Sequence, residues 1–158
     1  MKPEYVYGLI GLLAGVVLMG LFAYKSAPSM MMKEALSKYN FEESAEKFEQ
    51  KVLAMGWKIP AVHDLQETMH KNGFEVSKVK VFEICQPEHA YKILSRDKER
   101  IVSNMMPCRV SIYEKSDGKT YVSWMNTALM GNMMGGIIAD VMGDATKESE
   151  AMISVLKE

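Results

Sequence analysis

Cysteine is scarce in this chain: Cys85 and Cys108 are the only 2 among 158 residues. Two are too few for a disulfide scaffold, and neither belongs to a C-x-x-C pair or a zinc-type spacing. Histidine is as sparse, with His63, His70 and His89. No Ser/His/Asp order, no paired acid positions and no phosphate-cradling loop occur, and Gly135-Gly136 lacks the surrounding pattern for nucleotide binding. Excess charge of one sign is missing too. A net charge of −1 with no basic stripe between aromatics sets nucleic acid aside as a partner. There is no internal repeat. These absences favour a binding or assembly role over an enzyme.

The most consequential absence is local. Tyr5 to Tyr24, YVYGLIGLLAGVVLMGLFAY, carries no charge. At ~1.5 Å per residue such a run spans ~30 Å, about one bilayer core. Tyr5, Tyr7 and Tyr24 stand at its ends, where amphipathic rings favour the headgroup layer, and Lys2 and Lys25 bracket it. A cleaved signal peptide is the rival, but Lys25 stands where a small residue is wanted before Ser26 and Ala27. The reading is an uncleaved single-pass anchor over residues 1–26, with the membrane met through 5–24. Lys25, Lys33 and Lys38 lean toward a cytoplasmic domain by the positive-inside rule. The short N-terminal tail before one anchor fits an exported signal anchor instead, and the expectation is an inner-membrane protein with its domain facing the periplasm. Gly11 and Gly15 form a G-x-x-x-G, a spacing that lets two anchors approach, so a homodimer is expected.

Residues 27–158 suffice for one domain with its own core. Ala27 to Ser29 reads as an exit from the membrane, and Met30 to Lys38 as either a first strand or more of the anchor helix. Asn40 with Glu43 three residues on has capping-box spacing, and Phe41, Ala45, Phe48, Val52 and Met55 follow at helical spacing until Gly56. Trp57 to Val62 predicts a strand, Asp64 to Lys71 a short helix, and Val76 to Ile84 a strand. Pro87 opens a helix at a first-turn position. Val110 to Tyr113 and Thr120 to Met125 are strands joined by a turn at Ser116-Asp117-Gly118-Lys119. Met130, Met133, Met134, Ile137, Ile138, Val141 and Met142 form one apolar stripe of a helix, and Gly143-Asp144 separates a last helix from it. The fold class expected is α+β, an antiparallel sheet with helices packed on one face.

Cys85, Gln86, Pro87, Glu88 and His89 sit where a strand ends and a helix begins. A helix N-terminus favours a thiolate at Cys85. His89 lies about one turn on, and Pro107-Cys108 opens another strand. The two cysteines can form a disulfide, a reactive thiol pair, or half of a metal or haem site, or each can be a small buried hydrophobe. The 15 methionines invite a Cu(I) reading, yet most of the C-terminal ones fall on the apolar stripe.

Phe41-Glu42-Glu43-Ser44, then Cys85-Gln86-Pro87-Glu88-His89-Ala90, Pro107-Cys108-Arg109-Val110-Ser111-Ile112-Tyr113-Glu114 and Asp117-Gly118-Lys119 together resemble the domain-of-unknown-function 302 family. Trp124-Met125-Asn126-Thr127, Met130-Gly131 and Gly135-Gly136 resemble its C-terminal part. The likeness covers residues 30 to 155 and departs at Gln86, where asparagine is usual. It implies a compact α+β domain with an antiparallel sheet, often dimeric and bacterial, with no established activity. It marks Cys85, Pro87 and Cys108 without giving them a role.

Three functional expectations follow. The first is a membrane-anchored binding module for a small ligand or cofactor, haem included, with His63, His89 or Met133 as axial ligand candidates and Cys85, Pro87, His89 and Cys108 as the site. The second is a thiol redox or sulfur-handling protein in which Cys85 attacks and Cys108 resolves. The third is a structural protein that oligomerises through its apolar helix.

Overall fold

The computed structural model describes residues 3–157. Lys2 lies outside them, as does the side chain of Tyr5. The chain opens with α1, Pro3–Met31, which runs straight into β1, Met32–Leu36. The expected exit at 27–29 is therefore helical: the helix continues through Pro28, and the ambiguous stretch after it divides at Met31.

Asn40 caps α2, Phe41–Ala54, by accepting the Glu43 N–H at 3.0 Å, and Glu43 returns a bond from Asn40 Nδ2 at 3.3 Å. The N-cap expectation holds, with the return bond made from the Asn40 side-chain amide in place of the backbone N–H of a full capping box. Phe41, Phe48 and Val52 form the buried face of α2. Gly56, at φ +78°, turns the chain into β2, Lys58–Asp64. That positive φ suits glycine and would strain other residues. Asp64 caps α3, Leu65–Lys71. β3, Val79–Cys85, leads to α4, Pro87–Leu94, with Pro87 in its first turn as expected. A 3-10 helix, Glu99–Met105, which the sequence reading left unassigned, precedes β4, Cys108–Glu114. The turn at 116–119 then returns the chain into β5, Thr120–Met125.

The five strands form one antiparallel sheet in the order β1-β5-β4-β3-β2. One face carries Phe82, Ile84, Val110, Ile112, Val122 and Trp124, all buried against α2 and the C-terminal helix. This is the period-2 alternation of a half-buried sheet. The α+β architecture is as expected.

The C-terminal third corrects the sequence reading. The stripe from Met130 to Met142 is not one helix. Gly135 and Gly136, at φ +72° and +56°, break it into α5, Thr127–Met134, and α6, Gly136–Ile153. Ile138, Val141 and Met142 are buried in a second cluster with Ile93 and Val102, whereas Met133 is exposed. Gly143-Asp144 ends nothing: α6 runs through both. A glycine inside a helix costs only about 1 kcal/mol, which packing on both sides of α6 easily offsets.

Candidate functional site

The junction of strand and helix at Gln86 is the centre of the site. β3 delivers Cys85 to the end of the sheet, where it pairs with Lys58 of β2. Cys108 opens β4 opposite Ile84, so the two cysteines stand on adjacent strands at one sheet end. α4 begins two residues after Cys85 and carries His89 on its first turn. α6 closes the space from above. These elements enclose a cavity of ≈ 40 Å³ lined by Cys85, Cys108, His89, Trp57, Met105 and Met142, among others, with an almost wholly apolar wall.

Both thiols are free. Helix-terminus activation of Cys85 is overruled by burial. Loss of water pushes its thiol up from the ordinary value. Cys108 is pushed up to about 11, first by burial and then by the neighbouring Cys85 charge. The partial charge at a helix end is worth about 0.3–1 kcal/mol at an exposed site, less than the cost of stripping water from a thiolate. Both shifts run against the thiolate that a helix N-terminus would favour at Cys85.

His89 is held from two sides. Its Nε2 lies 3.0 Å from Glu148 Oε1, and its ring meets Trp57 edge-on at 6.0 Å between centroids. The other Glu148 oxygen accepts the Trp57 indole N–H at 2.7 Å. In the neutral imidazole, an Nε2–H that donates to the carboxylate leaves Nδ1 with its lone pair. That Nδ1 is buried and has no hydrogen-bond partner, the sole such side-chain N or O atom among the described residues. Trp57 and Glu148 were not singled out from the sequence. They lie 91 positions apart, and no local pattern joins them.

The remaining candidates lie elsewhere. His63 is on the open face of the sheet, 3.1 Å from Glu83, away from the cavity. His70 pairs with Glu75 at 2.8 Å in an exposed turn. Met133 is 83% exposed and lines no part of the cavity. Of the axial-ligand candidates, only His89 reaches the site. Among the described residues, no three His, Cys, Asp or Glu side chains form a metal-binding group.

An antiparallel α+β domain with a small thiol- and imidazole-lined cavity at one sheet end is thus the class defined by fold and site. Residues 33–158 match DUF302, described as "Domain of unknown function DUF302". The chain belongs to that family. A crystal structure of an uncharacterized conserved DUF302 protein from Bacillus stearothermophilus has the same fold, with a TM-score of 0.72. The two share 18% identity over 81% of this chain and 99% of that one. No curated protein matches the sequence.

Proposed function

We propose that this protein is a membrane-tethered binding module whose cavity takes a small thiophilic ligand, a soft monovalent cation such as Cu(I) being the best match. The observation that carries this reading is the buried, unpartnered Nδ1 of His89 in the wall that also holds both free thiols. A buried acceptor without a partner costs about 1–3 kcal/mol, so a ligand that engages it recovers that cost. A ring nitrogen presented while its opposite N–H is held by a carboxylate is the usual arrangement around metal-binding histidine. Sulfur donors select soft ions, and Met105, Met106 and Met142 add thioethers to the same wall. Two sulfurs are enough for Cu(I), which accepts low coordination numbers, so a three-residue cluster is not required.

Size argues against haem. Pockets that enclose drug-sized ligands hold roughly 300–1,000 Å³. The cavity here is ≈ 40 Å³, room for a few atoms.

Membrane tethering is supported by α1. Residues Ile10–Met31 are long and apolar enough to cross a bilayer, and none of that stretch is buried by the domain. The anchor keeps the domain at the periplasmic face of the inner membrane. The open surroundings of Gly11 and Gly15, with no atom within 4 Å of an added Cβ, leave room for the anchor of a second copy.

The test is a Cu(I) titration of the full chain in detergent, without oxygen, against a chromogenic Cu(I) chelator. The expected result is one ion per chain, with binding lost in Cys108→Ser and weakened in His89→Ala. Copper uptake that ignores both side chains would overturn the reading, as would a saturable haem spectrum without copper binding.

A further inference from the structure

The anchor and the Met-rich helix α5 meet at one end of the sheet. β1 starts at Met32, directly after α1, and pairs antiparallel with β5 so that Met32 faces Met125. α1 therefore enters the sheet at the end where α5 leaves it. The join is hydrogen-bonded: Asn126 N–H donates to Met31 O at 2.8 Å, and Asn126 Nδ2 donates to Met30 O at 3.0 Å. α5 then packs on α1. Ser26 and Ala27, a turn back along α1, are half-buried, whereas the other described side chains of that helix are exposed.

Helix geometry bounds how far α5 reaches from α1. Its eight residues rise ~12 Å from the join. Stepping back from Met31 to Tyr24 covers ~10 Å of α1. The tip of α5 therefore stands within ~12 Å of its join with α1, within reach of the stretch of α1 that leads back to Tyr24, where the uncharged run stops. That end is apolar and bare: Met133 is 83% exposed and Met134 50%. Ile101 of the 3-10 helix, 78% exposed, shares a groove with Met134, Lys98 and Glu99. Lys98 has no ion-pair partner among the described residues.

We infer that the tip of α5, Met133 and Met134 with Ile101 beside them, rests in the interfacial layer of the same bilayer that α1 spans. This rests on reading α1 as an anchor. The occupant is lipid because α5, which carries the patch, packs on the membrane-spanning helix and is hydrogen-bonded to its end through its cap residue Asn126. Lys98 on the rim suits anionic headgroups. The sulfur-lined cavity, at the same sheet end, is then held next to the membrane surface.

Brominated-lipid quenching of the full chain in vesicles tests this. Met133→Trp adds an indole at the tip, and Ser116→Trp adds one at the hairpin turn, at the opposite sheet end. Buried Trp57 and Trp124 supply the background, subtracted with the unsubstituted chain. Expected is loss of the added Met133→Trp emission in vesicles brominated near the acyl-chain top, with the Ser116→Trp emission unchanged. If the vesicles carry the protein but the Met133→Trp emission is unaffected, or both variants are quenched alike, the docking is overturned while the anchor stands. If the protein fails to float with vesicles, the anchor reading itself falls.

Discussion

The Trp57 indole N–H donates to Glu148 Oε2 at 2.7 Å, tying the start of the second strand's approach to the middle of α6. Because one oxygen is so engaged, the other is left to orient His89 at 3.0 Å. One carboxylate thus holds a core tryptophan and the site histidine together.

Replacing Glu148 separates these duties. Glu148→Ala leaves the Trp57 N–H buried without an acceptor, at a cost of about 1–3 kcal/mol. Glu148→Gln keeps an amide oxygen for one partner and loses less. Urea unfolding of the full chain in detergent, followed by tryptophan emission, ranks the variants. Equal stability of Glu148→Ala and the parent would contradict the role assigned to Glu148.

The thiols fix a pH dependence. Burial raises both above their ordinary value, Cys108 to about 11. A folded-state value above the unfolded one stabilises fully below the unfolded value of 9.0 and is lost as pH climbs through the folded value. Stability is therefore expected to decline between pH 9 and 11, and less steeply in Cys108→Ala. Alkylation followed by mass spectrometry should modify Cys85 ahead of Cys108, with Cys108 still slow at pH 9. Fast labelling of Cys108 at pH 7 would contradict its burial.

Copper binding should release protons. With both thiols protonated below pH 9, capture by two sulfurs displaces two protons per ion, so affinity rises roughly a hundredfold per pH unit. Chelator competition at pH 6, 7 and 8 reads the slope. A flat profile would show that the thiols are not the donors.

Gly131 is a site of close helix approach. A Cβ there would stand 2.8 Å from Met142 Cβ and 3.2 Å from Ile138 O. Gly131→Ala gains about 1 kcal/mol of helix propensity but forces α5 off α6, and overpacking of this kind costs about 1–3 kcal/mol. Net destabilisation is expected in thermal unfolding, whereas Gly143→Ala, with nothing within 4 Å, should be neutral or stabilising. The reverse order would rule out the close contact.

Local chemistry was legible in the sequence; distant partnership was not. Asn40 and Glu43 announce their helix because the cap and its target are three residues apart. Asp117-Gly118 announces the hairpin for the same reason. The α5–α6 break was hidden because Ile137, Ile138, Val141 and Met142 continue the spacing of Met130, Met133 and Met134, and periodicity carries through a glycine pair unless the backbone angles are known. Cys85, His89 and Cys108 were identified as neighbours, since strand ends and a helix start placed them. Their charge state was not, because it depends on water excluded by α6 and the 3-10 helix. Glu148 on an amphipathic helix is indistinguishable from its solvated neighbours until Trp57 is placed beside it.

β1 and its ladder partner β5 are the first and last strands in chain order: Met32 pairs with Met125. During synthesis α1 and β1 emerge first, and the first strand has no mate until the four other strands have followed. The edge of the sheet nearest the anchor in sequence is therefore the last to be closed. Formation of α1 and completion of the fold are separated in time by the delivery of β5, and an arrested chain that stops before Thr120 would present an unpaired strand behind α1 to any chaperone or protease.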